Sequence, residues 1–282
     1  MKSLRLQLHR LAWLACSCVA LPFGAWAQTS GSIATPSPLS SASRRELLAV
    51  GERISGATGI KLVLISPGTL LMGGPDDNFD KQPLTKVTLT RYYWLGATDV
   101  TQAQYEDVTG ENPSTFKGNE LPVETVGWDD AMEFCQKLTK REHGAGRLPE
   151  GYAYTLPTEA QWEYACRAGT TGPRYGKLED IAWYSGNSDQ TTHPVCRKQP
   201  NAWGLYDMIG NVWQWCFDWH GNYPGGDVSD PTGPSVGSDH ICRGGSWGNT
   251  AAYCSSDYRD GDDPDVLGHS WAGFRVALAP IR

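Results

Sequence analysis

From Ile60 onward, apolar and β-branched residues come in short stretches separated by turn residues. Lys61-Leu62-Val63-Leu64-Ile65 predicts a strand, Pro67-Gly68 a turn and Thr69 to Gly73 a second strand, so the folded part is expected to open with a hairpin. Val87 to Tyr93 alternates β-formers and predicts another strand. Thr101-x-x-Gln104 is a capping box that starts a short helix ending near Gly110. A longer helix is predicted from Asp129, because Ala131, Phe134, Cys135 and Leu138 fall on one face. Thr158-x-x-Gln161 is a second capping box, opening a helix that stops at Gly169. Beyond Gly169 the pattern predicts only short strands, turns and loops. Arg243 to Trp247 reads as a strand entering a close-packed site. Gly273 to Val276 reads as the last strand, with Arg275 pairing a buried acid. Helices that are few, short and early predict an α+β domain rather than alternating βαβ units.

The first 27 residues follow a different pattern. Lys2, Arg5 and Arg10 precede an apolar run from Leu11 to Phe23, and Ala25-Trp26-Ala27 is a small-x-small cleavage site. This predicts a signal peptide on residues 1–27. The run is too short for a stable membrane span. The protein is expected to be exported, periplasmic or extracellular after cleavage near Ala27. Residues 28–56 read as a Ser/Thr/Pro-rich linker followed by a short helix over 43–56, and residues 57–282 as one domain. Loss of the leader removes three positive charges and no negative ones, taking the formal net charge from −7 to −10. That acidity argues against nucleic acid as a partner. Cys135, Cys166, Cys196, Cys216, Cys242 and Cys254 remain, and export permits disulfides among them.

With 32 Gly and 12 Trp but only 4 Met, the composition suggests a loop-rich fold pinned by aromatic side chains. Phosphate-loop, dinucleotide, nucleophile-elbow and His-Glu-x-x-His signatures are missing. His143, His193, His220, His240 and His269 are too scattered for a helical metal site. The acidic run Asp257 to Asp265 offers oxygen ligands for calcium, but its spacing is not that of an EF-hand, and a solvated loop is the simpler reading. Two segments are dense in chemistry. Residues 201–219 contain Trp203, Trp213, Trp215 and Trp219, which form either an aromatic core or an aromatic-walled cleft for a peptide or sugar. Residues 242–275 join the Arg-Gly-Gly-Ser-Trp and Gly-Phe-Arg stretches.

Seven motifs occur in one order: Leu71-Met72-Gly73, Asp99-Val100-Thr101-Gln102, Leu121-Pro122-Val123-Glu124, Leu156 to Arg167, Gly204 to Trp213, Arg243 to Trp247 and Gly273-Phe274-Arg275. In this order the chain resembles the formylglycine-generating enzyme, or sulfatase-modifying factor, family over about residues 60–280. The resemblance implies a single compact domain of modified C-type-lectin-like topology, low in regular secondary structure. It also implies oxidation of a substrate cysteine with O₂ and copper(I) held by two cysteines five residues apart. Here Cys254 takes the second position, but Asn249 takes the first, and a neutral amide does not replace a thiolate on copper(I). Copper is therefore doubtful. Ser246 and Trp213 match residues beside that site. Cys254 is left as a core thiol, a disulfide partner with Cys242 as candidate, or a residual redox thiol. The resemblance also implies a structural calcium at Asp207, Gly210, Val212 and Gln214, with Gln214 in place of a Glu and Asp207 in place of an Asn.

Two functions follow from the resemblance. The first is an exported oxidoreductase-type maturation factor acting on a protein or peptide side chain. Relatives in pyoverdine maturation lack the cysteine pair, so Asn249 does not by itself end catalysis. The alternative is a non-catalytic lectin-like binding protein, akin to the variable proteins of diversity-generating retroelements. Its ligand surface would be Trp247, Asn249, Tyr253, Asp257, Tyr258, His269 and Trp271.

Overall fold

A computed structural model describes residues 52–74, 79–262 and 269–281. The expected signal peptide, and the linker as far as residue 51, lie outside them. The strands are β1 (Glu52–Ile54), β2 (Lys61–Ile65), β3 (Gly68–Met72), β4 (Thr85–Leu89), β5 (Tyr93–Gly96), β6 (Tyr152–Thr155), β7 (Trp213–Trp219), β8 (Gly226–Ser229), β9 (His240–Arg243), β10 (Arg259–Asp262), β11 (Ala272–Gly273) and β12 (Ala277–Pro280). The helices are α1 (Gln102–Thr109), α2 (Trp128–Gly144), α3 (Glu159–Arg167) and the single turn α4 (Leu178–Ile181). Among the described residues they form three sheets, ordered β1-β2-β5-β12-β6, β10-β9-β7-β11 and β3-β4-β8.

Local chemistry explains the helices. Thr101 and Thr158 each accept from the backbone N–H three residues on, and Gln104 and Gln161 return the bond. Gly110 then closes α1 in the left-handed region at φ 89°. On α2 the predicted face is buried: Ala131, Phe134, Cys135 and Leu138. Burying a large apolar side chain such as Phe134 or Leu138 contributes roughly 1.5–3 kcal/mol. The helix begins at Trp128, one residue before the expected Asp129, because Asp130 Oδ2 accepts from Gly127 N at 2.9 Å.

Several expectations need correction. Residues 52–54, assigned to a short helix, are a strand paired antiparallel with β2, so the folded unit begins before residue 57. The predicted opening hairpin does not form: β2 pairs with β1 and β5, while β3 pairs with β4 in another sheet. The single strand over 87–93 is two strands in two sheets. The chain turns between them at Thr90, whose N–H bonds Asp230 Oδ1 at 2.9 Å. One helical turn, α4, occurs where none was expected. The last strand is also two: β11 runs parallel to β7, and β12 is antiparallel to β5 and β6. Phe274 to Val276 carry the chain between these sheets. Arg243 ends β9, because Gly244 and Gly245 both turn into the left-handed region, at φ 100° and 76°.

Two hydrophobic clusters fill the interior. One gathers Trp162, Cys254, Ile241 and Cys216 with β2 to β4. The other gathers Trp94, Phe134, Phe274, Trp215 and Cys242 around α2. Trp213 and Trp215 are buried, so much of the 201–219 aromatic run is core. His240 is stacked between Trp128 and Trp219 at 3.8 and 3.7 Å. Among the described residues no helix is long and apolar enough to cross a membrane.

Candidate functional site

β7 delivers Trp213, and the turn after β9 delivers Ser246 and Asn249. Trp213 Nε1 donates to Asn249 Oδ1 at 2.8 Å. Ser246 donates to the same oxygen from its backbone N at 3.0 Å and its Oγ at 2.6 Å. The asparagine is held further by its backbone, since Ser185 N donates to its carbonyl and its own N–H reaches Ser246 O. Three of the predicted site residues therefore form one hydrogen-bonded unit.

Cys254 packs beside that unit against Gly245. Its side chain is fully buried in the first cluster, and a Cβ on Gly245 would sit 2.9 Å from its Sγ. Burial pushes the thiol up to about 12, with Arg174 pulling the other way. In the metal-free chain Cys254 is a neutral core thiol at ordinary pH, and one sulfur beside an amide whose oxygen is already spent does not supply the thiolate pair that copper(I) takes. All six cysteines of the domain are free, and Cys242 and Cys254 belong to different clusters, so the candidate pairing is not formed. We expect iodoacetamide at pH 8 to label exposed Cys196 in the folded protein and to reach Cys254 only after denaturation. Mass spectrometry of the labelled peptides checks this, and prompt labelling of Cys254 would contradict its burial.

The residues predicted to hold calcium meet a different cation. Gln214 Oε1 accepts from Trp162 Nε1 at 2.6 Å and from Arg275 Nε at 2.7 Å. Arg275 Nη2 also donates to Asp207 O at 3.0 Å and Tyr206 O at 2.8 Å, and Gln214 Nε2 donates to Asp207 O at 2.7 Å. Asp207 Oδ2 accepts from Cys196 N at 2.9 Å. With Gln214 committed and a guanidinium against the Asp207 carbonyl, Asp207, Gly210, Val212 and Gln214 do not fit calcium, which takes six to eight oxygens. Arg275 does face a buried acid, Asp99, at 3.4 Å. Burial pushes the Asp99 carboxyl well up, and Arg275 opposes the shift.

The predicted ligand surface divides. Tyr253 is exposed, and its ring lies 4.8 Å from that of Tyr258, which in turn lies 5.9 Å from Trp213. His269 stacks on Trp271 at 4.5 Å, and both are half-buried. Trp247 is half-buried as well; its Nε1 is spent on Ser270 O and its ring packs edge-on against Phe116. Asp257 is not a surface residue. It is buried, pairs with Lys81 at 3.7 Å and accepts from Ser255 Oγ. Of the acidic run, residues 263–268 lie outside the described residues. Among the described residues no group of three or more His, Cys, Asp or Glu could hold a metal.

Sequence reasoning missed the charges beneath this surface. Glu163 Oε1 accepts from Gly73 N at 3.1 Å and from Arg167 Nε and Nη2 at 2.9 and 2.8 Å, and its Oε2 accepts from Arg243. Arg243 also holds the carbonyls of Ser256 and Tyr258. Glu159 grips Arg259 through two bonds of 2.8 and 2.7 Å. The available signal was the i,i+4 carboxylate pair Glu159 and Glu163 flanking Ala160 and Trp162, with Arg167 one further turn on.

A family profile described as the sulfatase-modifying factor enzyme 1-like domain matches residues 52–280. The chain belongs to the sulfatase-modifying factor family. It is 31% identical to the chaperone protein LppX of Paenibacillus barcinonensis, over 67% of this chain and 81% of that protein. It is 32% identical to the formylglycine-generating enzyme of Streptomyces coelicolor, over 55% of this chain, and spans about half of that enzyme's length, 52%. Among solved structures, Treponema denticola variable protein 1 superposes with a TM-score of 0.74 at 32% identity, covering 81% of this chain and 98% of that one. The α+β, C-type-lectin-like architecture of the sulfatase-modifying factor family is thus the fold of this chain.

Proposed function

We propose that this protein is an exported maturation factor of the sulfatase-modifying factor family that engages a protein or peptide partner without a copper(I) centre. The observation that carries this reading is the use of the Asn249 carbonyl oxygen by Trp213 and Ser246, beside a Cys254 sealed in the core. Where copper-dependent relatives need two available thiolates, this chain presents an amide and a rigid hydrogen-bonded wall. Export is supported by the basic and apolar leader with its small-residue cleavage site. Action on a protein or peptide is taken from the formylglycine-generating and chaperone relatives.

The test is an assay for aldehyde formation in a cysteine peptide of the sulfatase type, with copper(I) added. The expected outcome is no turnover at rates typical of copper enzymes. Robust aldehyde formation that is lost in Cys254→Ser would refute the reading. A second reading, a purely binding function, rests on the likeness to the Treponema variable protein and on the exposed Tyr253. It predicts partner binding that leaves the partner's mass unchanged.

A further inference from the structure

The Asn249 side chain has a fixed direction. An indole N–H and a backbone N–H can only donate, so the atom that Trp213 Nε1 and Ser246 N both reach must be the amide oxygen. Ser246 Oγ adds a third donor to it. The amide nitrogen is thereby turned away from Trp213 and Ser246. No protein acceptor among the described residues takes its two hydrogens, and it is not sealed from solvent, since buried unpaired side-chain atoms occur elsewhere and not at Asn249. An oriented, unspent N–H donor in a half-buried position is a binding element, because its orientation costs a ligand no ordering entropy.

Its neighbours narrow the ligand. Trp213, which holds the amide, also touches the Tyr258 ring, and Tyr258 touches exposed Tyr253. Buried Trp213 therefore links the donor to an aromatic patch that reaches the surface at Tyr253. The charge around that patch is already matched within the protein. Lys81 lies 5.4 Å from the Tyr258 ring and pairs with Asp257, while Arg174 donates to the carbonyls of Ala251 and Cys254 and Arg243 to that of Tyr258. A carboxylate ligand would find these cations committed, whereas a neutral carbonyl needs only the amide donor.

We propose that Asn249 Nδ2 donates to a backbone carbonyl of a neutral peptide segment that lies across Tyr253 and Tyr258. The peptide class rests on the function proposed above; the donor rests on the geometry. A main-chain carbonyl matches a single amide donor, and an apolar or aromatic side chain beside it matches the tyrosine rings. In this chain the position of a missing thiolate has become a recognition position.

The test is amide NMR of the purified protein titrated with the blocked peptide acetyl-Ala-Phe-Ala-amide and, separately, with acetyl-phenylalanine as a carboxylate. The Asn249 side-chain pair of signals is assigned in the wild type by through-bond correlation to the Asn249 backbone, and Asn249→Asp serves as the affinity variant. That variant keeps the accepting oxygen and replaces the donor by an anionic oxygen. The blocked peptide is expected to shift the Asn249 pair in the wild type, to bind more tightly than the carboxylate, and to lose about tenfold in affinity in Asn249→Asp. Shifts confined to other residues of the surface, such as Trp247 and Trp271, would overturn the donor assignment and leave the peptide reading standing. Absence of any shift on the surface would overturn both. Because the decisive signal is read in the wild-type protein, poor folding of Asn249→Asp does not spoil the result.

Discussion

Glu163→Ala should lower the stability of this protein by about 3–5 kcal/mol, the cost of breaking a buried ion pair from one side. Glu163 is fully buried and accepts from Arg167, Arg243 and the backbone of Gly73. Removing its two oxygens leaves two buried guanidiniums without this carboxylate and the Gly73 N–H without its acceptor. Arg243 keeps Glu159 only at 3.4 Å. At this domain size such a loss lowers Tm by about 6–20 °C. The consequence reaches the surface, because Arg243 also holds the carbonyls of Ser256 and Tyr258. Glu163→Gln retains one acceptor and should cost less. Differential scanning calorimetry of the three proteins decides the matter. Equal melting of wild type and Glu163→Ala would mean that the network contributes nothing to stability.

Some of these features were legible in the sequence and some were not. Thr101 and Thr158 predicted helix starts because a capping box is a local exchange of hydrogen bonds within four residues. The face of α2 was legible for the same reason: Ala131, Phe134, Cys135 and Leu138 share a side whatever they pack against. Strand partners were not legible. Nothing in Lys61–Ile65 or Gly68–Met72 says that the two strands join different sheets, since pairing is decided by segments far along the chain. Asp257 failed similarly. It stands in an acidic run that reads as a solvated loop, and its partner Lys81 is remote in sequence. At the candidate site, motif order brought Trp213, Ser246, Asn249 and Cys254 to attention, and the Asn for Cys exchange cast doubt on copper. That the amide oxygen is spent and Cys254 is sealed away depends on distances that only the folded chain sets.

Gly273→Ala should be nearly as damaging as the loss of Glu163, for a steric reason that joins two of the sequence motifs. A Cβ on Gly273 would stand 2.3 Å from the carbonyl oxygen of Val123 and 3.0 Å from Val212 Cγ2. Val123 belongs to the Leu-Pro-Val-Glu stretch and Gly273 to Gly-Phe-Arg, so the glycine is there to let the two backbones touch. The carbonyl has little freedom to withdraw. Val123 N is bonded to Val100 O at 2.8 Å, and Glu124 N to Ser114 Oγ at 3.2 Å. On the other side, β11 is tied to β7, with Trp213 N donating to Trp271 O at 2.7 Å. One added methyl must therefore push β11 away from Val123 or strain both segments, at about 3 kcal/mol, the upper end of the usual overpacking cost. Movement of β11 would also disturb Trp213, whose indole fixes the Asn249 amide. The expected result is a lower unfolding midpoint in denaturant with an unchanged slope, together with altered tryptophan emission in the folded state. A variant that melts and fluoresces like the wild type would show that the close contact between Gly273 and Val123 does not exist.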